Sequence, residues 1–199
     1  MADTTVPIPI AELLRTPGLY ALLSLSVISV TAGDLLVIYL PLLGTERHIE
    51  VADIGMLLTL RAVASIVARL MYPPMVAIIG RQALMIASTI AATLAFVALA
   101  LPAPLLVLGL ANVVIGFALG LTTTLTLTGT LTLVPHTARG TANSLRLVGN
   151  RIGQLALPIG AGAVAALTGV GGIFALIALG LAASAAAVHM SRPGAPPAV

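Results

Sequence analysis

The chain has 199 residues, of which 59% are hydrophobic and only 8% charged, and its mean hydropathy is +1.16. A water-soluble domain carries about a quarter charged residues, so this composition excludes one and makes the bilayer the solvent. Nine arginines against six acids give a net charge of +3, and the absence of cysteine excludes disulfides, thiol catalysis and thiolate metal sites.

A pI near 10.2 does not signal nucleic acid here, because the arginines are scattered singly through short polar breaks. Residues 1–18 contain Asp3 and Glu12, and the apolar run after them is too long for a signal-peptide core, so they read as an amino-terminal segment that is retained. The first apolar run extends from Leu19 to Leu43 around Asp34, long enough to cross about 30 Å of hydrocarbon at ~1.5 Å per residue. A polar break, Gly44 to Asp53, leads to the second run, Ile54 to Ile79, which contains Arg61, Arg69 and Pro73-Pro74, with a kink expected near its end.

Gly80-Arg81-Gln82 is a minimal turn before the third run, Ala83 to Leu101, which has no charge and stops at Pro102-Ala103-Pro104. The fourth runs from Leu105 to Val134 and grows rich in Thr, until Pro135 to Gly140 breaks it. The fifth starts near Thr141, passes Arg146, Asn150, Arg151 and Gln154 and turns apolar up to Leu167; Thr168 to Gly172 is read as a turn. The sixth, Ile173 to Val188, precedes a Pro-rich tail at 190–199. The expected architecture is all-α: a polytopic membrane protein with six transmembrane helices over 19–189 and no soluble domain.

If six helices alternate, Arg15, Arg81, Arg139 and Arg192 fall on one side and only Arg47 on the other, which puts both termini in the cytoplasm by the positive-inside rule.

Asp34 and Arg61 are the charges deepest in apolar surroundings, each costing roughly 2.5 to 3.5 kcal/mol at a helix centre. Counted from one end of the bundle they lie about 13 and 10 Å deep, on adjacent antiparallel helices. Two readings are open: a structural ion pair, or a pair facing an aqueous cavity where Asp34 takes up a proton. Asn112 and Gln154 also admit two roles, solute contact or an interhelical hydrogen bond. The threonines from Thr122 to Thr132 read either as a helix face bonded back to the preceding turn or as a polar lining. Gly116 with Gly120, and Gly149 with Gly153, form small-xxx-small pairs suited to close helix approach. His48, His136 and His189 lie far apart without ligand spacing, and no nucleophile-base pattern occurs, so neither an enzyme, a metal site nor a cofactor is expected.

Several segments together resemble the carboxyl-terminal six-helix half of the major facilitator superfamily. Leu13-Leu14-Arg15-Thr16-Pro17-Gly18-Leu19 is similar to the entry to that half, and Ile54-Gly55-Met56-Leu57-Leu58 to the start of its second helix. Gly80-Arg81 is similar to the basic turn that follows, and Arg139-Gly140-Thr141-Ala142-Asn143-Ser144 to the link before the fifth helix. The turn departs from the family pattern at Ala77, where an acid is usual, and at Pro73, where Gly is usual.

The resemblance implies a secondary transporter for a small solute, in a bacterial-type plasma membrane, with proton-coupled export as the expected mode. Family members have two six-helix halves around a midplane site. The resemblance therefore implies a partner, either a separate half or a second copy. The rival reading is a non-transporting remnant or a subunit of a membrane complex. A membrane subunit of an ATP-driven pump and a channel are further rivals, but no Walker-type loop or selectivity-filter sequence is present.

Overall fold

The structure is a computed structural model that describes residues 10–191; Arg192 and the rest of the tail, and residues 1–9, lie outside the described residues. A short helix α1 (Ile10–Leu13) precedes four long ones: α2 (Leu19–Glu46), α3 (Val51–Ile79), α4 (Arg81–Ala100) and α5 (Leu105–Leu133). A 3₁₀ turn (His136–Ala138) then leads into α6 (Arg139–Ser191). No strand occurs among the described residues.

Five helices are long and apolar enough to cross a membrane, where the apolar runs pointed to six. The difference lies in α6, a single element of 53 residues in which Gly169 alone is non-helical, at φ 72 and ψ 179. The turn expected over Thr168 to Gly172 therefore needs only one residue. On a straight helix Gly153 and Gly180 would stand about 40 Å apart. Yet a Cβ built on Gly153 comes within 2.5 Å of Val27 Cγ1, and one on Gly180 within 3.6 Å of Ile28 Cγ2, so the chain reverses at Gly169. Gly80 performs the same reversal between α3 and α4, at φ 83 and ψ 151. That backbone region is open essentially only to glycine.

The polar break at Gly44 to Asp53 is also shorter than expected, since α2 runs on to Glu46 and α3 begins at Val51. Outside hydrocarbon, side chains such as Thr45 and Asp53 hydrate without breaking the helix, and an acid in the first turn suits the positive end of the α3 dipole. Pro73 and Pro74 lie inside α3, which stays helical through both up to Ile79.

Burial follows from packing rather than from water. The main core joins Leu36 and Leu40 of α2, Phe96 and Leu99 of α4, Ile115 of α5 and Phe174, Ile177 and Leu181 of α6. Phe96 and Phe174 stack with ring centroids 6.2 Å apart. A second cluster joins Leu22, Leu25, Ala68, Leu84 and Leu125, and a third ties Leu13 and Leu19 to Val134, Ala138 and Ala142. Large apolar side chains also cover the outside: Leu94 is 65% exposed and Ile159 79%. An apolar exterior of this extent needs lipid around it.

Both small-residue pairs are used. A Cβ on Gly116 would collide with the Arg61 carbonyl, and one on Gly120 would stand 2.9 Å from the Ser65 carbonyl, so α3 and α5 touch backbone to backbone. Gly149 and Gly153 let Val27 of α2 press against α6.

Candidate functional site

Near the middle of the bundle a polar path crosses three helices. α2 presents Gly33 and Asp34 within two residues of its midpoint. The close α3–α5 approach at Gly116 holds the Arg61 backbone, and the side chain reaches toward α2, where Nη1 donates to the Gly33 carbonyl at 3.1 Å. That oxygen has a second lone pair beyond its helical bond. From α6, Gln154 Nε2 donates to Asp34 Oδ2 at 2.7 Å, and Arg151 Nη1 donates to Gln154 Oε1 at 2.8 Å. Only this amide orientation satisfies both a carboxylate and a guanidinium. Asp34 is half-buried, Arg61 and Gln154 likewise, and Arg151 is exposed.

Asp34 and Arg61 thus share a level without forming a direct ion pair: the guanidinium bonds to the neighbouring peptide and the carboxylate to Gln154. Asn112 does not join them. It is fully buried in α5, with Nδ2 bonded back to the Leu108 carbonyl at 2.9 Å and Oδ1 without a partner.

A second polar cluster lies one to two turns away on the same α2–α6 seam. Ser26 Oγ donates to Asn150 Oδ1 at 3.1 Å, and Arg146 Nη1 donates to Ser26 Oγ at 3.4 Å while Nη2 reaches Asn143 Oδ1 at 3.3 Å. Arg146 and Asn150, on the polar first turns of the fifth run, are buried against α2 and their own helix. Their signal was present in the sequence: Arg146, Asn150 and Gln154 recur every four residues and so share one helix face.

The threonines of α5 are mostly bonded to their own helix: Thr122, Thr123 and Thr124 each donate to the carbonyl four residues back, at 2.9, 2.8 and 3.1 Å. This is the back-bonding arrangement, which satisfies the hydroxyls without a pathway. Thr122 also meets Ser88 at 3.1 Å and Thr128 meets the Tyr72 hydroxyl at 2.8 Å.

The turn motifs gather at one end. Arg81 Nη1 donates to Thr132 Oγ1 at 2.5 Å, and Arg139 Nε donates to the Leu131 carbonyl at 2.9 Å, closing the last turn of α5. Gly140 is exposed, with open space where a Cβ would go. At the other end Arg47 Nη2 donates to the Leu99 carbonyl at 3.0 Å, capping α4 in the same way. Among the described residues no three His, Cys, Asp or Glu side chains gather where they could hold a metal ion.

Long apolar helices, a lipid-suited exterior and a half-buried charged path at mid-depth define an integral, multi-pass membrane protein. The family model of the Major Facilitator Superfamily matches residues 22–199, and the chain belongs to that superfamily of membrane transporters. A comparison with curated proteins finds no match.

Proposed function

We propose that the chain is one six-helix half of a major facilitator secondary transporter, moving a small solute across a bacterial-type plasma membrane with proton coupling. In this reading α6 crosses twice, turning at Gly169. Both termini are cytoplasmic, which is supported by Arg81 and Arg139 sharing one end of the bundle while Arg47 stands at the other. The second wall comes from a second six-helix half or from another copy of this chain.

The observation that carries the reading is the path Arg61–Gly33/Asp34–Gln154–Arg151, which links α3, α2 and α6 near mid-depth. A lipid-facing bundle gains nothing from charges there, each costing roughly 2.5 to 3.5 kcal/mol, whereas a wall of an aqueous pathway uses them. Asp34 is the proton-carrying group of the proposal. Protonation removes the charge that Gln154 Nε2 faces and weakens a charge-assisted bond on the face turned to the second half, so the charge state of Asp34 biases the rocking of one half against the other.

The test is accumulation of a panel of labelled solutes in inverted membrane vesicles energised by a pH gradient. Asp34→Asn is expected to abolish gradient-driven accumulation of whichever solute the parent protein moves. Full gradient-driven transport by that variant would sink the proton role.

A further inference from the structure

We infer that the solute handled by this face is an anion, held by Arg61, Arg69 and Arg151; the inference rests on reading the face as the wall of a solute pathway. Ser65 is the middle residue of α3, so Arg61 and Arg69 stand four residues, about 6 Å, on either side of the helix midpoint. Both are too deep for ordinary anchoring at a membrane surface. The four-residue intervals from Arg61 through Ser65 to Arg69 keep the three on one broad face, the one from which Arg61 reaches α2.

Depths on the neighbouring helices can be matched through their contacts. Asp34–Gln154 and Ser26–Asn150 show that α6 climbs alongside α2, so Arg151 lies within about a turn of the Asp34 level. Arg146, bonded to Ser26, marks a deeper tier, and Arg69 reaches a similar depth because α3 runs opposite to α2 from the Arg61–Gly33 contact. Around the middle of the bundle four guanidinium groups therefore stand against a single carboxylate, Asp34. The other described acids, Glu12, Glu46, Glu50 and Asp53, lie at the helix ends.

The four are not equivalent. Arg146 is buried among Ser26 and Asn143, so it belongs to the seam. Arg69 and Arg151 are exposed, and Arg61 is half-exposed. Asp34 offsets one of these three charges. The excess positive charge, in a low-dielectric setting, favours a negative ligand and penalises a cation. Guanidinium groups supply the forked donors that suit carboxylate and phosphate oxygens. The ligand class is a small organic anion bearing one or both of these groups.

The experiment uses the chain, with any partner that co-purifies, in nanodiscs. Its thermal unfolding midpoint is followed at fixed ionic strength with benzoate, acetate or inorganic phosphate, and with benzamide and benzamidinium as neutral and cationic mimics of benzoate. At least one anion is expected to raise the midpoint by about 2–4 °C, with no rise for benzamide or benzamidinium. Arg69→Gln should remove the rise and Arg69→Lys should keep part of it. No rise with any of the three anions, a benzamidinium rise as large as benzoate's, or a rise untouched by Arg69→Gln overturns the inference. So does a partner half whose presence abolishes an anion effect seen with the chain alone, since its own carboxylates would then be what the arginines meet. Vesicle flux separates the two levels. Transport of benzamidinium without benzoate leaves the transporter reading standing and removes the anion assignment, while anion binding without flux of any solute removes the transporter reading and, with it, the assignment of the bound anion as a transported solute.

Discussion

Gln154 joins α6 to α2 by donating its amide to Asp34 at 2.7 Å while accepting from Arg151 at 2.8 Å, so one neutral side chain sits between the one acid at mid-depth among the described residues and an exposed guanidinium. Replacing it tests what that position is worth. Gln154→Leu leaves a half-buried carboxylate without its donor and is expected to destabilise the protein by about 1–3 kcal/mol. Asp34→Asn, which keeps an acceptor for Gln154, should cost less than about 1 kcal/mol. Unfolding in detergent of Gln154→Leu, Asp34→Ala and the double variant measures the coupling; strictly additive effects would contradict a direct bond.

The α3–α5 contact makes a sharper structural prediction. Gly116→Ala drives a methyl group into the Arg61 carbonyl, and backbone cannot yield as a side-chain tip does. It should cost roughly 1–3 kcal/mol or more and displace Arg61 from Gly33, lowering transport as well as stability. Gly55→Ala and Gly140→Ala, which meet nothing within 4 Å, serve as controls that should be close to neutral. Equal behaviour of Gly116→Ala and these controls would argue against the close approach.

The reversal at Gly169 can be seen by crosslinking, helped by the absence of native cysteine. The pair Val27→Cys with Gly153→Cys and the pair Ile28→Cys with Gly180→Cys should both crosslink with a short bifunctional maleimide. A straight α6 would permit one pair and not the other. Gly169→Ala, forced into a glycine-only conformation, is expected to cost about 1–3 kcal/mol, as is Gly80→Ala.

Sidedness is read by labelling intact cells. A membrane-impermeant thiol reagent should modify His48→Cys and spare Gln82→Cys, both positions being exposed at opposite ends of the bundle. The reverse pattern would invert the proposed orientation.

Much of this was legible in the residues. Hydropathy placed the apolar runs because lipid demands continuous apolar helix, and it overextended the Gly44 to Asp53 break because polarity does not end a helix once the helix leaves hydrocarbon. It separated the fifth and sixth runs by a turn over Thr168 to Gly172, where the structure needs Gly169 alone, since a single glycine can turn a chain without any polar loop. Matching depths brought Asp34 and Arg61 to one level. The acceptor for Arg61 was not legible, because the Gly33 carbonyl is main chain and carries no residue signature. Asn112 shows the opposite limit: depth left it open between a solute contact and an interhelical hydrogen bond, and in the structure it is fully buried with Nδ2 bonded back to its own helix. Arg146 and Asn150 were visible as a four-residue rhythm, but their bonds to Asn143 and Ser26 were not, because pairing across helices carries no local signature.

A major facilitator pathway needs a second wall. Crosslinking in the native membrane, followed by mass measurement of the purified complex in nanodiscs, tests that directly. The expected result is a complex with a second six-helix chain or a homodimer in which the polar faces of α2, α3 and α6 meet the partner. A strictly monomeric chain, with no crosslinked partner, would contradict it, because alternating access has no meaning for a single wall.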